Sequence, residues 1–142
     1  MPYKAYPPPG TPPGTLVRAP ERAVVPSRLR LIRYDPIELE ELSEATVADC
    51  QSLTERGSVL WVHLEGLGNF ELLQELGHLL QLHPLALEDV AEGRALTKVE
   101  DYDTFLFILT RMMHGDAKLS SEQISLFLGP QFLLSGCKIG GN

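Results

Sequence analysis

Two adjacent acids, Glu88 and Asp89, close the string His83-Pro84-Leu85-Ala86-Leu87-Glu88-Asp89-Val90. Carboxylate oxygens are the donors a hard divalent cation selects, and Mg2+ keeps several waters while taking only one or two carboxylates from a protein. On sequence chemistry alone the pair reads either as half of such a site or as two acids that simply end a helix in solvent. Acid–base catalysis is the competing use. Successive helical residues point about 100° apart, so neighbouring acids splay and cannot flank a substrate as a catalytic dyad does. For the same reason both cannot enter the core, and at least one faces solvent or a partner.

The remaining reactive side chains are scattered. His63, His78, His83 and His114 fall on different elements without close ligand spacing. His63, on a strand, reads as packed or hydrogen-bonded; His78 reads as facing water. Cys50 and Cys137 cannot build a tetrahedral thiolate site by themselves. No secretory leader precedes them, so reduced thiols are expected, with Cys50 as a small, partly buried apolar residue. No Ser or Cys stands in a nucleophile elbow, and no glycine loop leads into a phosphate-binding lysine. Gly66-Leu67-Gly68 is a tight strand-to-helix turn. The expectation is a protein that is not an enzyme, with no catalytic residue.

The elements that must position Glu88 and Asp89 are legible around them. Leu72, Leu73, Leu76, Leu79 and Leu80 recur at helical period opposite Glu71, Gln74, Glu75, His78 and Gln81, which predicts an amphipathic helix over 70–81 with Asn69 as its cap. Pro84 restarts a helix, because its missing N–H would have no partner in the first turn. Leu85, Ala86, Leu87 and Val90 supply the apolar surface that docks it. Before these, residues 59–64 are nearly continuous in apolar side chains, as in a strand covered on both faces. Residues 28–34 alternate, with Leu29, Leu31 and Arg33 on one side. Residues 15–18 are a further strand candidate, and 37–45 suit either a strand or a short helix. Thr46 can cap a short helix over 47–51. Residues 91–97 read as a connection. Strands are expected at 99–102, 105–112, 123–128 and 132–134, with turns at 114–116 and 129–131, and their close spacing implies antiparallel hairpins. The fold class is therefore α/β, a mixed parallel/antiparallel sheet carrying helices.

Composition narrows the partners. The chain has 142 residues, 44% hydrophobic and 22% charged, with a formal net charge of −7. That is one globular domain. The negative charge disfavours nucleic acid and anionic lipid and suits cations. No apolar run approaches the ~20 residues of a membrane-spanning helix, so the chain alone is expected to be soluble. Residues 1–14, with six prolines, cannot enter a sheet or helix interior and form an extended arm; 15–135 form the folded domain, and 136–142 a glycine-rich tail.

The string Trp61-Val62-His63-Leu64-Glu65-Gly66-Leu67-Gly68, the leucine-rich helix and then Leu82-His83-Pro84-Leu85-Ala86-Leu87-Glu88-Asp89-Val90 closely resemble the N-terminal cytoplasmic domain of the CorA family of magnesium and cobalt transport proteins. The likeness continues through Lys98-Val99-Glu100-Asp101-Tyr102, Leu106-Phe107-Ile108 and Glu122-Gln123-Ile124-Ser125-Leu126-Phe127-Leu128-Gly129, and Pro12-Pro13-Gly14-Thr15-Leu16 is similar to the family's opening. The resemblance implies a three-layer α/β/α domain with the sheet between helices, and a strand rather than a helix around 37–44. It implies a homopentamer on the cytoplasmic side of the cell membrane in the full-length protein, each domain feeding a stalk and membrane helices. It further implies Mg2+ or Co2+ as a regulatory ion bound between neighbouring subunits, with Asp89 as a ligand and Glu88 in a secondary site.

Three departures stand out. Ala95-Leu96-Thr97-Lys98 replaces the family's Gln-Arg-Pro-Lys, and glycines fill the end of the chain where an aromatic and acidic strand exit is expected. The stalk, the membrane helices and the Gly-Met-Asn pore signature are not in this sequence, so the expectation is a sensing domain without its pore. A related zinc transporter's domain and a soluble interaction module without a metal role are the alternatives.

Overall fold

The computed structural model describes residues 9–14, 26–54, 57–93, 95–115 and 117–137. The strand expected over 15–18 lies outside them. Within them runs the order β1 (Arg28–Tyr34), β2 (Leu39–Leu42), α1 (Val47–Thr54), β3 (Val59–Glu65), α2 (Phe70–Leu79), α3 (Pro84–Glu92), β4 (Lys98–Asp101), β5 (Leu106–Gly115), β6 (Leu119–Leu128) and β7 (Phe132–Cys137). The ambiguous segment at 37–45 resolves as a strand, β2. β7 runs through Gly136 and Cys137, residues expected in the tail.

Seven strands form one sheet in the order β2-β1-β3-β7-β6-β5-β4. Among the described residues only β3 and β7 pair in parallel, and the late strands form the antiparallel meander that their spacing predicts. This order decides where α3 goes. The chain leaves β3 at the centre of the sheet, passes through α2 and α3, and re-enters at β4 on the far edge. The two helices therefore bridge half the sheet, and α3 comes down beside the edge strand.

One face of the sheet is the core. Leu29 and Leu31, Leu60, Val62 and Leu64, Phe107 and Leu109, Phe127, and Leu134 are buried there at alternate positions. Cys50 and Leu53 from α1, Leu73 and Leu76 from α2, and Ala86, Leu87 and Val90 from α3 join the same cluster. Phe107 stacks on Phe127 at 4.7 Å between ring centroids, a packing worth about 0.5–1.5 kcal/mol beyond area burial. The mixed sheet and a helical layer are as expected, and within the described residues all three helices share that one face. On the other face Trp61 is exposed, and His63 and Glu65 are half-buried. The expectation of a β3 strand covered on both sides therefore fails: its continuous apolar run reflects Trp61 and Val59 standing at the open face, not two buried faces.

The helix starts follow from local chemistry. Thr46 and Asp49 cap α1 reciprocally, Asp49 N–H donating to Thr46 Oγ1 at 3.3 Å and Thr46 N–H to Asp49 Oδ2 at 2.8 Å. Asn69 Oδ1 accepts from Leu72 N–H at 3.0 Å and caps α2.

Candidate functional site

The string 83–90 forms a short helix that is fixed at both ends. His83 is the N-cap, extended at φ −71°, and its Nδ1 accepts the Leu85 N–H at 3.1 Å. Accepting at Nδ1 requires that nitrogen to be unprotonated. Gly93 ends α3 in the left-handed region at φ 68°, its N–H donating to Asp89 O at 3.3 Å. Between the caps, Ala86, Leu87 and Val90 are buried, and each larger side chain contributes about 1.5–3 kcal/mol by leaving water. Close approach to α2 depends on Gly77: a Cβ there would lie 2.5 Å from Leu87 Cδ1.

With that stripe in the core, Glu88 and Asp89 fall on the rim, and both are half-buried. They face different partners, as their divergence on the helix requires. Glu88 Oε2 accepts the backbone N–H of Gly14 at 2.6 Å, so the end of the proline-rich arm lies against α3. Gly14 has φ +83°, and a Cβ on it would come 2.8 Å from Pro84 Cβ. Asp89 turns toward the sheet edge, where Lys98 Nζ donates to its Oδ2 at 2.6 Å.

Lys98 is shared. Its ammonium also pairs with Glu100 Oε1, and Glu100 Oε2 accepts the Tyr102 hydroxyl at 3.3 Å. Tyr102 in turn packs on the His83 ring at 5.2 Å and stacks on Phe105 at 5.0 Å. The chain of contacts from Asp89 through Lys98, Glu100 and Tyr102 thus returns to the cap of the same helix. The hydrogen bonds to Asp89 and then Glu100 hold the Lys98 ammonium well above the usual lysine range. Lys98's hydrogen bond holds the Glu100 carboxyl below its ordinary value. Tyr102 is raised, first by burial and then by the charge of Glu100.

Asp89 is thus paired within the chain, its Oδ2 held by the Lys98 ammonium. Among the described residues no group of three or more His, Cys, Asp or Glu could hold a metal ion. Glu88 and Asp89, expected to close the helix, lie inside α3, which runs on through Ala91 and Glu92, residues expected in the connection; Lys98 and the cap at His83 were not anticipated. Lys98 had a signal: Lys98 and Glu100 sit two apart on one face of a strand, the face that carries Phe107 and Leu109 on the neighbouring β5. His63 is hydrogen-bonded, its Nδ1 2.7 Å from Ser135 Oγ, and His78 is exposed, as expected. Neither lies in the Asp89 contact chain. Cys50 is fully buried, and burial pushes its thiol up to about 12, which makes it inert.

Comparison with known proteins decides the affiliation. The family described as "CorA-like Mg2+ transporter protein" matches residues 56–137. The chain belongs to this CorA-like family. The cobalt/magnesium transport protein CorA of Thermotoga maritima is 29% identical over 122 residues, which cover 84% of this chain and 34% of that protein. The chain thus spans about a third of the length of that relative. Two solved structures from Methanocaldococcus jannaschii share the fold. The soluble domain of CorA aligns with a TM-score of 0.50 at 15% identity, covering 75% of this chain and 39% of that one. The complete CorA magnesium transporter aligns at 0.52 and 14% identity, covering 79% and 32%. At such identities the likeness speaks for the CorA fold alone.

Proposed function

We propose that this CorA-family domain is the Mg2+-sensing part of a divalent-cation transporter, with Asp89 as the regulatory carboxylate and Glu88 as its secondary neighbour. The observation that supports this reading is the position of Asp89: a helix fixed by caps and a buried stripe presents its carboxylate on the half-buried rim. Among the described residues no helix is long and apolar enough to cross a membrane, so these residues are assigned to sensing and not to conduction.

In this reading the domain works on the cytoplasmic side of the membrane within a homopentamer, and a neighbouring subunit completes the shell that two carboxylates leave unfinished. A bound divalent ion supplies the charge that lets acids of adjacent subunits stand close together. Asp89 and Glu88 lie half-buried at the rim, Val90 and Leu87 hold α3 in place, and loss of the ion leaves the acids of adjacent subunits repelling one another. The closed state is then less populated, which is a population shift by differential binding. Isothermal titration of the full-length protein with Mg2+ tests the assignment. Asp89→Ala is expected to weaken binding and to leave the channel open at Mg2+ levels that close the wild type. Unchanged binding and unchanged closure in that variant would remove Asp89 from the site.

A further inference from the structure

Three side chains form a hydrogen-bonded chain across the middle of the open face of the sheet. In the parallel pairing of β3 with β7, His63 lies opposite Ser135 and Trp61 opposite Leu133, so Trp61, His63 and Ser135 share the face turned away from the helices. Ser135 Oγ is 2.8 Å from Trp61 Nε1 and 2.7 Å from His63 Nδ1. An indole N–H can only donate, so Trp61 donates to the serine oxygen. The single serine proton then goes to His63 Nδ1, which accepts it, and the neutral imidazole carries its own proton on Nε2. That side of the ring faces Glu65 Oε1 at 3.9 Å and Cys137 Sγ at 3.8 Å. A thiol is a weak donor and does not reverse this order.

We propose that His63, Ser135 and Trp61 form a proton-operated latch, in which neutral His63 pins the Trp61 indole through Ser135 and protonated His63 releases it. Once Nδ1 carries a proton, it meets the serine hydroxyl as donor against donor. Ser135 is only 5% exposed, and the described contacts give its hydroxyl no second acceptor. A buried hydroxyl left without a partner is costly, and turning it toward another acceptor gives up the bond from Trp61. The charges around the ring set where this happens. Burial chiefly holds His63 below the ordinary 6.5, with Glu65 on its own strand opposing and Arg30, its partner on β1, adding to the effect. On β7 the Cys137 thiol is raised, first by burial and then by Glu122 of β6 and by Glu65, so it stays neutral beside the imidazole. The latch is therefore closed at neutral pH and opens below pH 6.5. Acidification loosens the chain's one tryptophan, an exposed ring on the open face, while the core beneath the helices keeps its packing.

NMR of the nitrogen-labelled 142-residue chain, followed from neutral to mildly acidic pH, tests this, because one tryptophan gives one indole signal. At neutral pH the His63 ring should show the Nε2–H tautomer. As pH falls, the indole proton should shift upfield in step with the titration of His63. His63→Gln, whose amide oxygen can accept from Ser135 at every pH, should hold the indole shift constant. Ser135→Ala should leave His63 titrating while the indole no longer follows it. A neutral ring with its proton on Nδ1 overturns the proposal, and so does an indole signal that stays fixed while His63 titrates in the wild type. An indole shift that tracks His63 equally in wild type and Ser135→Ala also overturns it, because the imidazolium then acts through space and not through the serine.

Discussion

Two edges of one sheet each hold a basic residue among acids, and they are built to opposite ends. Near the β2 edge, Arg33 is buried and its guanidinium meets Asp35, Glu38 and Glu40 at 3.2–3.5 Å. All three acids come from the same hairpin, within seven residues of Arg33. At the β4 edge, Lys98 is partly open and joins Asp89 of α3 to Glu100 of its own strand. The first cluster closes a turn on itself: the Asp35 carboxyl is held below its usual value chiefly by the backbone N–H groups of Glu38 and Ile37. The second links separate elements through a single flexible cation. A planar fork among three carboxylates locks a local structure, while a point charge between two can be exchanged. The difference teaches that a cation beside acids is not by itself a sign of function; what matters is whether it ties distant elements and whether water reaches it.

The largest expected effect breaks the support beneath the β4 edge. Leu87→Ala should cost about 2–5 kcal/mol, because Leu87 fills the space that Gly77 leaves and its loss opens a cavity under α3. Urea unfolding measures this, and the response of α3 to Mg2+ should weaken with it. At the opposite edge, Arg33→Met should lower the urea midpoint while leaving the Mg2+ response of α3 unchanged. A changed Mg2+ response in that variant would erase the contrast between the edges.

A smaller effect is expected for Lys98→Met, whose stability in urea unfolding should stay within about 1 kcal/mol of wild type, since the ion pairs it breaks are partly solvated. The smallest effect lies on the open face between the edges. Burial chiefly lowers the His63 pKa from its ordinary 6.5. The folded state therefore takes up a proton less readily than the unfolded chain. This contribution is fully present above pH 6.5 and drains away as pH falls below it through the folded-state value. Unfolding midpoints measured across that window should decline less steeply in His63→Gln than in wild type, with the behaviour of both edges unaltered.

Periodicity made much of this legible. The leucines of α2, the alternation in β1 and the spacing of the late strands each carry a single interpretation, because burial against one face repeats at the period of the element. The end of α3 was less legible, since the helix runs on to Glu92 through residues without a clear apolar period. What sequence could not carry were pairings across elements. Nothing in the chain order ties Lys98 to Asp89, or the Gly14 N–H to Glu88, until the crossing from β3 to β4 has been laid out. The run 59–64 misled because Val59 and Trp61 are apolar yet stand on the open face, where composition alone cannot tell a half-exposed tryptophan from a buried one. The segment 37–45 had the helix-favouring Glu and Leu composition and became a strand through pairing with β1, a tertiary override of propensity.

The most direct measurement follows the amide signals of the chain during a Mg2+ titration, comparing wild type with Asp89→Ala. Shifts concentrated on α3 and β4 in the wild type and absent from the variant are the predicted result. Equal responses in the two proteins, or changes confined to other elements, would contradict a role for Asp89 in holding a divalent ion.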